Sequence, residues 1–137
     1  NDSLKNSIVS SLKGVNSKKL FLKFIASSKV KHFFSAADLV VLPYKDFAAQ
    51  SGPGNIALAF EKPLLVSDVG GLPDLVLNQE MIFESGNIQE LATKLERGCA
   101  DSSLLSNLVK DSIFLKKKYS WDNIAVETLK LYNELAP

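Results

Sequence analysis

Two glycine-bearing turns bracket one short stretch of this chain, Gly52-Pro53-Gly54 and Gly70-Gly71. Glycine has no Cβ, so such turns let a ligand approach the main chain closely. Pro53 suits the first turn of a helix, where its missing N–H costs nothing. The remaining N–H groups at a helix start, with the helix dipole, favour an anion such as a diphosphate. A plain loop and helix cap, with the glycines placed for packing, accounts for the same residues. Both readings stay open on these residues alone.

Other chemistry is less well supported. The run GPGNIA, Gly52 to Ala57, has the G-x-G-x-x-G/A spacing of a dinucleotide fingerprint. That fingerprint opens directly after its strand and has an acidic residue about 20 residues on. Here Tyr44 to Ser51 intervene, and Asp68 comes too early. His32, the single histidine, has no carboxylate three or four residues away on its helical stretch. A solvent-facing or packing role suits it better than that of a base. Asp38 precedes one apolar strand and Asp68 follows another, so they should lie at opposite ends of a parallel sheet, which argues against an acid–base pair. Cys99 is the only cysteine, which excludes an internal disulfide. With no histidine nearby, neither a Cys–His nucleophile nor a zinc site is expected, and Cys99 reads as a small buried thiol. Trp121 reads as an apolar anchor of the last helix against the core. No metal and no cofactor are expected.

A chain of 137 residues fits one compact domain, residues 1–137, large enough to bury a core without staples. The net charge of +1 gives no nucleic-acid footprint. Lys18-Lys19 and Lys116 to Lys118 read as solvated faces. No run of about 20 apolar residues could span a membrane, and no signal peptide is visible. A start at Asn1 rather than Met suggests a domain from a longer protein.

Periodicity supplies the elements that would position the two turns. Leu4, Ile8, Val9 and Leu12 predict a helix over Asp2 to Lys13, ended by Gly14. Alternating Leu20, Leu22 and Phe24 predict a strand over Lys18 to Ala26. Helical spacing returns over Ser28 to Asp38. Leu39 to Pro43, Pro63 to Asp68 and Met81 to Glu84 read as short buried strands of a parallel sheet. A helix should run from about Ser51–Pro53 to Glu61, with a helical turn near Pro73 to Leu77. Asn87 to Gly98, Ser102 to Lys118 and Ser120 to Leu135 complete the helices. Alternating strands and helices indicate an α/β fold with a mostly parallel sheet. Ligands in such folds sit beyond the carboxyl ends of the strands, where both glycine turns fall.

The ordered set FFSAADLVVLPY, Phe33 to Tyr44, then GNIALAFEKPLLVSDVGGLPDLV, Gly54 to Val76, resembles the carboxy-terminal domain of group 1 glycosyltransferases with the GT-B fold. MIFESGNIQELATKLE and YSWDNIAVETLKLYNEL resemble the strand, helix and closing helix that follow. The resemblance covers most of the chain, most clearly 28–135. It implies a Rossmann-like parallel sheet flanked by helices, the carboxy-terminal half of a GT-B fold, incomplete at its amino end. It implies retaining sugar transfer from a nucleotide-sugar donor to an acceptor, such as a surface polysaccharide or glycolipid. The donor would bind here, the acceptor mainly on a missing amino-terminal domain. A cytoplasmic protein is implied, or one peripheral at the membrane at full length. The final helix would lie against the domain or cross toward that partner. On this resemblance Gln50, Ser51, Gly52, Gly54 and Asn55 would meet the donor, and Gly70 and Gly71 would shape its crevice.

The sequence also departs from the family pattern. Aligned on Lys62-Pro63, two glutamates common in the family, one near the donor sugar and one near the ribose, fall on Ala48 and Ile56. Neither side chain accepts a hydrogen bond. Glu61 stands where the family has glycine. The basic residues that neutralise the leaving diphosphate are not identifiable. No catalytic residue is assigned, and a degenerate, non-catalytic GT-B binding or interaction domain is the alternative.

Overall fold

The computed structural model of the chain describes residues 2–12, 14, 18–46 and 48–135, with side chains from residue 6 onward. The chain divides into two compact units between Lys31 and His32.

In the first unit, α1 spans Asp2–Ser11. Gly14 takes φ +84°, a conformation that suits only glycine well; Lys13, at the end of the expected helix, lies outside the described residues. The strand expected over 18–26 is absent. Its alternating residues lie open, Phe24 at 89% exposure. Alternation makes a strand only where a neighbour completes its hydrogen-bond ladder, and this segment has none among the described residues. Helix α2 spans Ser27–Ala36.

The second unit carries β1 (Val40–Leu42), α3 (Gly52–Ala59), β2 (Leu64–Ser67), β3 (Ile82–Phe83), α4 (Ile88–Ala100), α5 (Ser102–Lys118) and α6 (Trp121–Leu135). Short 3-10 turns at Pro73–Leu75 and Gln79–Met81 join β2 to β3. The strands form one parallel sheet in the order β1-β2-β3. Residues of β2 alternate between two cores. Leu64 and Val66 pack with Leu42, Ala57, Leu58, Leu72, Leu75 and Leu115. Leu65 packs with Met81, Phe83 and Leu108. Burial on both faces is why this strand reads as a continuous apolar run.

Two expectations from sequence fail here. Cys99 is exposed, not buried. On α4 the inward stripe runs through Leu91 and Gly98, two turns apart, so Cys99 points away from it. Trp121 is 85% exposed and anchors nothing in the core, because α6 as a whole buries no residue.

Helix α3 ends in a Schellman motif. The Lys62 N–H donates to Ala57 O at 2.9 Å and the Glu61 N–H to Leu58 O at 2.9 Å. The motif needs a left-handed residue at position 61, and Glu61 supplies it at φ 57°. Its carboxylate meets Lys116 Nζ on α5 at 2.8 Å, with both side chains half-exposed. The Ser112 hydroxyl of α5 donates to Lys62 O at 3.1 Å. The left-handed conformation costs a side-chain-bearing residue about 1–2 kcal/mol, and such an exposed pair returns about 0–1 kcal/mol. We expect Glu61→Gly to be more stable than Glu61→Ala by about 1 kcal/mol, since only alanine keeps the strain after the pair is lost. Urea melts of the two variants check this, and equal midpoints would contradict it.

Two carboxylates join loops to helices. Glu90 Oε2 accepts the Glu84 N–H at 2.8 Å while Glu90 Oε1 pairs with Lys94 at 2.9 Å. Asp101 caps α5 through the N–H groups of Leu104 and Ser103. The Glu84 N–H, then Lys94, holds Glu90 below the ordinary carboxylate range; the Leu104 N–H, then the Ser103 hydroxyl, does so for Asp101. A carboxyl depressed on folding adds stability that is present above its unfolded pKa and lost as pH falls through its folded pKa. The chain should therefore lose stability as pH falls below about 4. Glu90→Gln and Asp101→Asn should each flatten that loss, as read from urea midpoints between pH 6 and 3; an unchanged slope in both would contradict the assignment.

Candidate functional site: the crevice above strands one and two

Strands β1 and β2 are parallel neighbours, with Leu42 opposite Val66. The loops that leave them therefore emerge at the same end of the sheet. Asp38, before β1, and Asp68, after β2, fall at opposite ends. The ends are stitched together. Ser67 Oγ donates to Leu42 O at 3.4 Å. Beyond β3, Ser85 Oγ donates to Lys45 O at 2.9 Å, and the Ser85 N–H donates to Asp68 Oδ1 at 2.8 Å. Sequence gave no reason to single out Ser85, because its partners lie 17 and 40 residues away.

The two glycine turns meet in this crevice. A Cβ added to Gly71 would stand 3.0 Å from the Gln50 side-chain nitrogen and 3.7 Å from Ala49 O. Gly71 therefore lets the loop after β1 close over the loop after β2. Gly70 takes φ 55°, which tightens the second turn.

The start of α3 can be accounted for group by group. Ser51 is its N-cap, fully buried, and Ser51 Oγ accepts the Gly54 N–H at 3.1 Å. The Asn55 N–H and its side-chain Nδ2 both donate to Ser51 O, at 3.0 and 3.1 Å. Pro53 has no N–H. Of Gly52, Pro53 and Gly54, Gly52 alone has an N–H without a partner among the described residues, fewer than the sequence suggests, because the helix caps itself. Gly52 is also the open glycine, since an added Cβ would meet nothing within 4 Å. Gly54 differs: it is buried, and an added Cβ would lie 2.4 Å from Leu75 Cδ1. Ala48 is exposed and Ile56 is 37% exposed, so both glutamate-equivalent positions present apolar atoms to solvent. His32 is likewise exposed.

A cleft of about 750 Å³ adjoins α3. Gln50 and Asn55 line it from the crevice side, and Leu58 and Leu75 form its apolar floor. Asp74, Tyr119, Trp121 and Ile124 line its far wall. Sequence reasoning missed this wall, since nothing in the order of residues brings the Pro73–Leu75 turn beside the start of α6.

The family profile described as "Glycosyl transferases group 1" matches residues 2–101. This chain belongs to that family. An uncharacterized glycosyltransferase of Methanocaldococcus jannaschii is 33% identical over 128 residues, covering 87% of this chain and 31% of the relative. A second from the same organism is 26% identical over 113 residues, covering 79% of this chain and 31% of the relative. Sucrose-phosphate synthase from Thermosynechococcus elongatus superposes with a TM-score of 0.76 at 22% identity, over 97% of this chain and 34% of that one. This group 1 glycosyltransferase chain thus spans about a third of the length of its curated relatives. Its parallel sheet flanked by helices is that of a GT-B glycosyltransferase domain, as the resemblance implied. Among the described residues, no helix is long and apolar enough to cross a membrane.

The glycines of the first turn separate by substitution. Gly54→Ala must displace buried Leu75, and overpacking of this kind costs about 1–3 kcal/mol. Gly52→Ala meets open space and should leave stability unchanged or slightly raised. Thermal melts of both variants check the contrast, and equal stability would contradict the packing account.

Proposed function

We propose that this chain is the donor-binding part of a retaining glycosyltransferase, which moves a sugar from a nucleotide-sugar to a hydroxylated acceptor. The observation that carries the reading is the crevice where Gln50 abuts Gly71, with open space at Gly52, in a chain of this family. On this reading the donor diphosphate lies against the Gly52 N–H and the start of α3. Gln50 and Asn55 face the sugar, and Gly70 and Gly71 shape the crevice by letting the two loops approach closely. Ser51 acts indirectly, by holding the helix start in place. The acceptor is held mainly by a further domain of a longer protein, and the protein works in the cytoplasm or at the inner face of the membrane. Residues 1–137 make up one donor-side domain on this reading. It needs neither metal nor cofactor.

The energetics favour weak binding. The Gly52 N–H and a helix dipole worth about 0.3–1 kcal/mol attract the anion. Ala48 and Ile56 withhold two charge-assisted hydrogen bonds worth about 1.5–3 kcal/mol each. Calorimetry with UDP, GDP and ADP should find millimolar affinity for at least one of them. Ile56→Glu, which adds a carboxylate at the ribose position, should tighten that binding about tenfold or more, the equivalent of 1.5 kcal/mol. The chain alone should transfer no sugar, because acceptor positioning supplies roughly 7–11 kcal/mol of such a barrier. Turnover of a nucleotide-sugar by the chain alone would contradict the division of labour. The apolar atoms at Ala48 and Ile56 favour a second reading, a binding domain that has lost its donor. Absence of nucleotide binding by both the chain and Ile56→Glu would favour that reading and overturn the first.

A further inference from the structure

Helix α5 turns Leu108, Ser112 and Leu115 inward. Its opposite side carries a stripe at the spacing i, i+3, i+4, i+7: Lys110, Ile113, Phe114 and Lys117, all exposed. Lys118 extends the stripe one turn beyond Phe114 and is exposed too. Phe114 is 58% exposed and Ile113 45%, so two large apolar side chains stand in water between lysines. The charge of the helix is one-sided, four lysines against one aspartate. Lys116 is taken up by Glu61. Asp111 lies off the stripe, half-buried beside Leu108 and Leu115. Lys110 Nζ donates to the neutral Asn107 Oδ1 at 3.2 Å, and Lys118 Nζ sits 5.2 Å from the Tyr119 ring centroid. Among the described residues, no carboxylate pairs with Lys110, Lys117 or Lys118. None of the five stripe residues lines the cleft beside α3.

We infer that this face of α5 docks on an anionic membrane surface, with Ile113 and Phe114 entering the headgroup layer and Lys110, Lys117 and Lys118 meeting lipid phosphates. The pattern selects the partner. Lysines frame the apolar pair at both ends, which disfavours a second copy of the chain. Antiparallel pairing would set Lys110 against the Lys117 of the second copy, and parallel pairing would set each lysine against its own counterpart. A stable protein complex engages roughly 20–30 residues a side, whereas this stripe is barely two turns of one helix. A lipid interface asks for less: apolar side chains that sink toward the acyl boundary, and cations that stay at the phosphates with their stems along the surface. The helix need not leave the fold to bind, because Leu108 and Leu115 keep it on the sheet. Such binding is weak and reversible, since firm anchoring takes stronger or additional signals. Each lysine near an anionic surface changes the partition about fivefold. The inference stands on the helix face and not on donor binding. It deepens the proposed function by choosing the membrane face over the cytoplasm as the place of sugar transfer.

Co-sedimentation of the 137-residue chain with vesicles tests this. The vesicles are phosphatidylcholine alone, or phosphatidylcholine with about one third phosphatidylglycerol. The chain should bind only the anionic vesicles, and raising salt from about 0.05 to 0.5 M should release it by screening. Lys110→Gln combined with Lys117→Gln should weaken binding about 25-fold. Phe114→Ser should weaken it at least about fivefold with no change of charge. All three residues are exposed, so the melting curves of these variants should match the wild type. Lys18→Gln combined with Lys19→Gln removes the same charge elsewhere and should change binding by less than about threefold. Absence of binding to the anionic vesicles overturns the inference. So does an equal loss from the Lys18–Lys19 variant, or undiminished binding by Phe114→Ser, either of which would mean diffuse adsorption. Retention on polyglutamate without vesicle binding would make the stripe a contact for an acidic protein, and a dimer dissolved by Phe114→Ser would make it a self-contact; both overturn it. Vesicle binding without nucleotide binding upholds this face while the donor reading fails, and the reverse leaves that reading standing without the membrane contact.

Discussion

The site depends on one constraint, the parallel pairing of β1 with β2 in a sheet buried on both faces. The register Leu42 to Val66 brings the loops after both strands to one end. A slip of one residue would turn Leu65 toward the core of Leu64 and Val66, and those two toward the core of Leu65. Those cores share α5 but differ in their second helix, α3 for one and α4 for the other, so packing holds the register. The Gln50–Gly71 approach follows from the register, and so does the reach of Ser85 across to Lys45 and Asp68.

Helix α3 is short, and both ends are specified. Its start is closed by its own cap, with Ser51 buried and bonded to Gly54. Its end is closed by a Schellman motif that tolerates a strained Glu61. Capping fixes the helix relative to β1 and β2 but consumes the groups that would otherwise hold an anion. The same serine that positions the crevice limits how strongly the helix start attracts phosphate.

Much of this was legible in the residues. The runs Leu39 to Pro43 and Pro63 to Asp68 became β1 and β2 because continuous apolar character reports burial on both faces. Helix α5 was found at its full length, Ser102–Lys118, from its amphipathic spacing. The segment 18–26 shows the limit of such reading: its alternation satisfies the pattern of a strand, yet no strand among the described residues pairs with it. Cys99 and Trp121 show another. Residue type suggested burial for both, but burial is decided by helical phase at Cys99 and by whether a helix has a neighbour to cover it at Trp121. At the site, the glycines were visible but their roles were not. Gly54 is filled by Leu75 and Gly52 is open, a distinction that only three-dimensional neighbours make.

The central claim is that a donor diphosphate rests on the Gly52 N–H at the start of α3. The most direct measurement is the amide ¹⁵N–¹H spectrum of the chain as UDP, GDP and ADP are added in turn. The account predicts that the Gly52 amide shifts first and furthest, with the Gln50 side chain and Gly71 following, while Gly54, whose N–H is held by Ser51, moves little. Shifts centred on α5, or none at several millimolar nucleotide, would contradict it.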